Sequence, residues 1–410
     1  MKKVLIVDDD PSILAIASKR LQAGGLQILT ANDGEEGFRL ARLQHPDLLV
    51  LDLMMPKMHG FAVIQAIRSD PELKPVKILV TSAKVYSSDI DRVLKMGADG
   101  YLGKPYSLED LWETVTRLLG ESEGRFVVRF WGTRGSIATP GPSTVKYGGN
   151  TACTEVRCGG QLLILDAGTG IRPLGECLLR EFQQKPIKGH IFVGHTHWDH
   201  IQGFPFFSPA YSSGNEFTIY SLRGAEKPLE RVFRGQMDSD YFPVRLADMK
   251  AKLNFYELQS EVDLGETKVT YTFLNHPGLA VGFRIQLGGR SLGYLSDHET
   301  YVRLNPDGPH PNPMDLDIAH FFEHVELLIC EAQYTEEEYE QKRGWGHSTF
   351  LDVLERAALA QVKRLAIFHH DPSHDDVFLD GIEEFCEKTI AERKYAFNCF
   401  VAQEGMTTEV

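Results

Sequence analysis

The segment "VGHTHWDHIQGF", Val193 to Phe204, constrains this chain more than any other. His195, His197, Asp199 and His200 fall within six positions, directly behind the apolar run "HIFV". Side chains of this kind are stable together inside a protein only when something takes up their lone pairs. The fold must therefore end a strand here and gather the four side chains around a common partner. On an extended segment His195 and His197 point to one side, so both rings can face one cation. Asp199 and His200 lie a turn further on and can face a second. Two cations ~3.5–4 Å apart can share a nucleophile that neither would hold alone.

The same half of the chain delivers ligand-type residues at one strand end after another. "GGQLLILDAG" ends on Asp166, "KVTYTFLNHPG" near His276, "RSLGYLSDHE" at Asp297 and "VELLICEAQY" at Glu331. "KRLAIFHHDPSHDD" ends at His369 and His370, and "HSTFLDVLERAALAQVK" predicts a helix beginning just after His347. Asp297 is the expected bridge between the two cations. His276 completes the first site and His369 the second, with His370 as the alternative one residue away. Histidine with carboxylate suits Zn²⁺ best, and Mn²⁺ or Fe next. His298, His310, His320, His324 and His374 are expected at the surface or behind the ligands. Residues 204–262, rich in aromatics and poor in ligands, read as an insertion covering the cleft or forming a dimer contact. Within them, "FPFFSPAY" reads as packing rather than as a base-stacking platform.

The first 120 residues have a different texture. Short apolar runs alternate with helical spacing: "KKVLIV", "LQILTA", "DLLVLDLMMP", "KILVTSA" and "GYLGKP" are strands, with helices such as "PSILAIASKRLQAGG" and "GEEGFRLARLQ" between them. Five βα units predict a doubly wound, five-stranded parallel sheet with its ligand site at the carboxyl ends of the strands. Those ends carry Asp8, Asp9, Asp52, Ser82 and Lys104. Clustered carboxylates with one hydroxyl and one lysine suit a Mg²⁺ ion that neutralises an incoming phosphoryl group.

Composition bounds the rest. Residues 1–121 carry 15 basic and 17 acidic side chains, net −2, which leaves −12 of the formal −14 for the remainder. So acidic a second half disfavours a large nucleic-acid footprint. Thirteen of the 15 histidines follow residue 122, placing the acid–base or metal chemistry there. Six scattered cysteines without a C-x-x-C pair point to a reducing, cytoplasmic setting. The opening "MKKVLIVDDD" does not read as a signal peptide, and no run has membrane-spanning length.

On these residues, positions 1–121 resemble a two-component receiver domain. The resemblance implies Asp52, in "LLVLDLMMPKMHG", as phosphoacceptor, the pair Asp8-Asp9 as Mg²⁺ site, and Ser82 and Tyr101 as switch residues. Lys104-Pro105 then supplies the lysine and a cis-proline. A sensor histidine kinase would be the phosphodonor. After a short linker at 122–125, residues 126–410 resemble the metallo-β-lactamase fold, an αββα sandwich of hydrolases. Here Asp166 corresponds to a structural aspartate that orients the ligand loop. "WGHST" before a helix, and "LLICEAQY", look like the ribonuclease Z and phosphodiesterase branch. That branch implies His347 as proton donor to the leaving oxygen and Glu331 as holder of its other nitrogen, with Asp199 in the catalytic group. The opening "FWGTRGSIATPGPSTVKYGGNTACTEV" also resembles it, with backbone N–H groups along a cleft or plain turns.

The expected activity is a dinuclear-metal phosphodiesterase acting on a small substrate such as a cyclic nucleotide, controlled by phosphorylation of Asp52. The short linker would let the receiver act on the hydrolase through packing, and both families suggest a homodimer. Three other readings compete. A thioesterase, lactonase or RNA-processing nuclease would use the same H-x-H-x-D-H start, although no glycine- and basic-rich tRNA-holding arm is present. A di-iron reductase would need a glutamate at His197 and a flavin domain. A non-enzymatic signalling output would leave the ligand set without a purpose.

Overall fold

The computed structural model describes residues 2–83, 87–120, 125–183, 185–223 and 227–410. It divides into two compact units, 1–123 and 124–410. The expected linker at 122–125 lies, apart from Arg125, outside the described residues.

In the first unit the strands are β1 (Lys3–Val7), β2 (Gln27–Ala31), β3 (Leu48–Asp52), β4 (Lys77–Ser82) and β5 (Gly100–Gly103). They pair in parallel in the order β2-β1-β3-β4-β5. All five residues of β3 are buried, as expected of a central strand covered by helices on both faces. The order reverses between β1 and β3, where a doubly wound sheet leaves a crevice. Asp8 follows β1 and Asp52 ends β3. Asp10 caps the next helix, Pro11–Ala23, by accepting from Ser12 N at 2.8 Å, with Pro11 at the first helical position.

The second unit contains two seven-stranded sheets. One uses β6 (Phe126–Gly132), β7 (Cys153–Cys158), β8 (Gln161–Leu165), β9 (Lys188–Phe192), β10 (Glu216–Ser221) and β11 (Lys252–Glu257). The other uses β12 (Val262–Leu264), β13 (Thr267–Leu274), β14 (Ala280–Leu287), β15 (Arg290–Leu295), β16 (Leu327–Glu331), β17 (Arg364–Phe368) and β18 (Asn398–Val401). The last strand, β19 (Thr407–Glu409), returns to the first sheet, giving the order β11-β10-β9-β8-β7-β6-β19.

Three apolar clusters define the layers. Phe126, Phe130, Leu163 and Phe192 from the first sheet pack against Phe283, Tyr294, Ile329 and Phe368 from the second. The outer face of the first sheet packs on the helix Ile171–Phe182, and that of the second on the helices Phe350–Leu359 and Asp376–Arg393. The result is helix, sheet, sheet, helix.

The segment 204–262 departs from expectation. It is not an insertion over the cleft. Its strands β10 and β11 extend the first sheet in parallel beyond β9. Phe204 and Phe207 of "FPFFSPAY" are fully buried in the outer cluster of that sheet. Parallel strands need covered crossovers, and the aromatics supply that cover. Among the described residues, no helix is long and apolar enough to cross a membrane.

Candidate metal centre

The cluster forms where the carboxyl ends of β9, β15, β16 and β17 meet the loop after β13. His195 leaves β9, and His197 precedes the short helix Trp198–Ile201 that carries Asp199 and His200. Four overlapping groups of donors result, two of them through His347 (with His276 and Asp297, and with Glu331 and His369) and two made of the expected ligands. His195, His197 and His276 bring nitrogens together in one, and Asp199, His200, Asp297 and His369 bring donors together in the other. Asp297 lies between them. Its Oδ2 is 3.4 Å from His195 Nε2, 3.4 Å from His200 Nε2 and 3.7 Å from His276 Nε2, while Oδ1 is 3.3 Å from His369 Nε2.

The ring nitrogens fix what can occupy this space. His276 Nδ1 lies 2.9 Å from the Gly346 carbonyl and His200 Nδ1 lies 2.8 Å from Asp166 Oδ2. Each commits its N–H outward, so each Nε2 presents a lone pair inward. Yet His276 Nε2 is 3.1 Å from His197 Nδ1, and His200 Nε2 is 3.1 Å from His369 Nε2. Both nitrogens of the buried His195 lack a hydrogen-bond partner. Ring nitrogens gathered this closely around a carboxylate, with both nitrogens of His195 unpaired, fit a cation, and imidazole with carboxylate is a donor set that zinc-type ions take. Burial pushes His195 well below the usual histidine range and His276 down to about 4, so both are neutral. Burial opposes charge on Asp297 too, but His369 and His200 outweigh it and hold the carboxyl well below its usual range, while Asp199, Asp297 and Asp166 in turn hold His200 above its own against burial.

Behind the ligands stands a second set of partners. Asp166 has φ +61°. It accepts from Gly194 N at 2.7 Å, from Tyr294 Oη at 2.6 Å and from His200, so its role in holding the ligand loop is explicit. His369 has φ +60° and its Nδ1 lies 2.9 Å from the Gln333 side-chain amide. His370 turns away and donates to the Ala402 carbonyl at 3.0 Å. Glu299, 1% exposed, accepts from Gly344 N, Gly346 N and Tyr339 Oη at 2.6–2.8 Å, which fixes the loop before His347. A Cβ on Gly346, at φ +91°, would collide with the His276 ring and with Pro277.

His347 lies beside both groups, its ring 5.3 Å from that of His276 and 5.5 Å from that of His369. Its Nδ1 is 3.5 Å from Glu331 Oε2, an ion-pair distance without hydrogen-bond geometry. Glu331 Oε1 accepts from Ser348 N at 2.8 Å. Burial draws the His347 pKa down, but Glu331, Asp297 and Asp199 overcome it and hold the ring above the usual histidine range. Burial raises Glu331.

The glycine-rich opening does less for the cleft than its sequence suggests. Ser136, at φ +63°, donates its N–H to Asp199 Oδ2 at 2.7 Å and so steadies a ligand. Arg134, fully buried, donates to the carbonyls of Gly148, Asp371 and His374 and ties this loop to the one after β17. Of the six other second-half histidines, among them His190, which pairs with Tyr220 Oη at 3.2 Å, none joins the cluster. His298 and His374 are buried behind it, and His310, His320 and His324 are exposed.

In the first unit, Lys104 Nζ donates to Asp8 Oδ2 at 2.7 Å and to Asp52 Oδ1 at 2.9 Å. Burial pulls the lysine down, yet the two carboxylates hold it above its ordinary pKa. Asp9 is exposed beside them, Ser82 is buried at the end of β4, and Tyr101 Oη reaches the Ser82 carbonyl at 3.4 Å. The Lys104-Pro105 bond is cis.

Two family descriptions match. Residues 4–116 match the response regulator receiver domain, and residues 162–370, half of the chain, match the beta-lactamase superfamily domain. The chain belongs to the beta-lactamase superfamily and carries a response regulator receiver domain at its N-terminal end. Among curated proteins, it is 40% identical over 124 residues to a probable transcriptional regulator, ycf27, of Cyanophora paradoxa. It is 39% identical over 124 residues to the alkaline phosphatase synthesis transcriptional regulatory protein PhoP of Bacillus subtilis. Each alignment covers 30% of this chain and 50% of the relative, so the chain spans about half the length of these relatives. The metallo-beta-lactamase fold protein YhfI of Bacillus subtilis superposes with a TM-score of 0.51 at 17% identity, over 70% of this chain and all of that one. The second likeness is one of fold.

Proposed function

We propose that this chain is a response regulator whose output is a dinuclear-metal phosphodiesterase for a small phosphodiester such as a cyclic nucleotide. The observation that carries the reading is His347, set beside both ligand groups with Glu331 behind it. A thioester expels a thiolate, which needs little help from an acid. An alkoxide leaving a phosphodiester needs a proton, and a histidine held charged by neighbouring carboxylates can give one.

His195, His197 and His276 would hold one ion, Asp199, His200 and His369 the other, and Asp297 both. Zn²⁺, Mn²⁺ or Fe bound there would supply positive charge to a phosphoryl oxygen and a nucleophile at neutral pH. His347 donates to the leaving oxygen and Glu331 keeps its ring oriented and charged. Asp166 and Gln333 hold ligand rings in place, and Glu299 holds the His347 loop.

In the receiver, Asp8, Asp9 and Asp52 would hold Mg²⁺. A sensor histidine kinase would phosphorylate Asp52, and Ser82, Tyr101 and Lys104 would answer the new charge. We place the protein in the cytoplasm, as a homodimer, with domains at 1–121 and 126–410.

Hydrolysis of bis-p-nitrophenyl phosphate and cyclic nucleotides by the Zn²⁺- or Mn²⁺-loaded chain tests the activity, with Asp297→Ala as control. Turnover lost in the variant supports it. Silence on phosphodiesters with metal bound, in both the free and the acetyl-phosphate-treated protein, would transfer the assignment to thioester or lactone substrates.

A further inference from the structure

His276 follows β13 and Asp297 follows β15, and β14 lies between those two strands. No ladder joins the two ligands, yet His276 Nε2 and Asp297 Oδ2 are held 3.7 Å apart. The contacts that join their loops pass through residues outside the ligand set. Asn275, just before His276, donates its backbone N–H to His298 Nδ1 at 3.0 Å. His298 directly follows Asp297. Beside this bond, Glu299 N donates to the Asn275 carbonyl at 2.8 Å and Asn275 Nδ2 donates to the Glu299 carbonyl at 2.7 Å. The loop of His347 meets the same residue, because Ser348 Oγ donates to the His298 carbonyl at 2.6 Å. The chain neighbours of His276, Asp297 and His347 thus converge on one histidine.

The His298 ring is fully buried and belongs to none of the groups of donors that could hold an ion. A neutral imidazole that accepts at Nδ1 carries its proton on Nε2. His298 Nε2 is enclosed without a hydrogen-bond partner, 3.9 Å from Asp315 Oδ1. Asp315 is itself held in place, accepting from Tyr301 N at 2.9 Å and from Val302 N at 3.0 Å. What the ring offers the site is therefore one acceptor, aimed at the amide that precedes a metal ligand. Outer contacts of this kind orient a ligand and so tune the affinity of the ion it holds.

We propose that His298 is a positioning residue for the metal centre, whose Nδ1 holds the Asn275 N–H and so sets His276 against Asp297. This rests on the metal centre of the reading above and is independent of which ester is hydrolysed. Of the two sets of expected ligands, His276 belongs to the one with His195 and His197. The effect of His298 should fall on one ion and spare the other.

The test is the zinc affinity of the full chain, measured by competition with a chelating dye. His298→Leu removes the acceptor and should weaken one of the two ions by ~10-fold or more while leaving the other within ~3-fold. His298→Asn, whose Oδ1 can take the place of Nδ1, should recover most of that loss. Equal weakening of both ions, the mark of a loosened fold, would overturn the proposal. So would an unchanged affinity in the leucine variant, or an asparagine variant no better than the leucine one. If the leucine variant does not fold, nitrogen NMR of the wild type decides. His298 Nδ1 without a proton and Nε2 with one is the expected result, and the reverse tautomer would overturn the assignment. Zinc binding that depends on His298 in a chain that turns over no phosphodiester would leave this role standing and remove the proposed activity. Phosphodiester turnover with zinc affinity indifferent to His298 would do the reverse.

Discussion

The two units hold their carboxylates in opposite ways. In the receiver, Asp8 and Asp52 are each met by the Lys104 ammonium, so the chain itself offsets part of the pocket's charge. In the second unit, no lysine or arginine pairs with Asp199 or Asp297 among the described residues. Their partners are imidazoles whose inward nitrogens lie 3.1 Å apart. One site takes part of its positive charge from its own lysine. The other is built to be completed by cations. The two sites differ here less in residue type than in how much of the positive charge the protein supplies itself.

The sharpest way to break this contrast is to remove the shared ligand. Asp297→Ala should cost both ions and at least ~10³-fold in kcat/KM. Elemental analysis showing two ions per chain in that variant would refute the bridge. His347→Ala should retain both ions and lose ~10²–10⁴-fold in kcat, the range for a general acid. Loss of metal there would make it a ligand instead. Tyr294→Phe removes one donor from Asp166 and should weaken metal binding by ~10-fold, at the lower end for outer partners, as competition with a chelator would measure. Chelation itself should lower the melting transition of the second unit more than that of the receiver, because Lys104 keeps Asp8 and Asp52 paired when ions are withdrawn. A calorimetric trace in which both transitions fell together would deny the contrast. Smallest of all, Thr349→Ala should cost about 1 kcal/mol of stability in a denaturant titration. It opens the capping box in which Thr349 Oγ1 accepts from Asp352 N and Asp352 accepts from Thr349 N.

The ligands were legible in the sequence because a metal demands the same few side chains wherever a strand happens to end. His276, Asp297 and His369 are far apart in sequence, yet each follows an apolar run, and the structure gathers them. The receiver was legible for a similar reason, since its carboxylates and lysine sit at the ends of five recognisable strands. The partners behind the ligands were not. Glu299, Gln333, Tyr294 and Arg134 act on particular backbone amides, carbonyls or ring nitrogens. Nothing in "SDHET" or "CEAQY" reveals which of these will lie within 3 Å. The segment 204–262 was misread on other grounds. "EFTIYS" and "KLNFYE" have the alternation of ordinary half-buried strands, and no local feature announces that they continue the sheet beyond β9. An aromatic-rich stretch without ligands then looks detachable, although Phe204, Phe207, Phe217 and Phe233 are the floor of a layer.

The pairing of β19 with β6 has a consequence for how the second unit could be rearranged. Thr407–Glu409 run antiparallel to Val127–Arg129, and Val410 N donates to the Phe126 carbonyl at 2.7 Å. The two ends of the unit are thus neighbours in one ladder, and in topological terms it is a near-closed loop of chain. A circular permutant that splices 410 to 126 and opens at the Gly288-Gly289 hairpin would leave every ligand segment uncut.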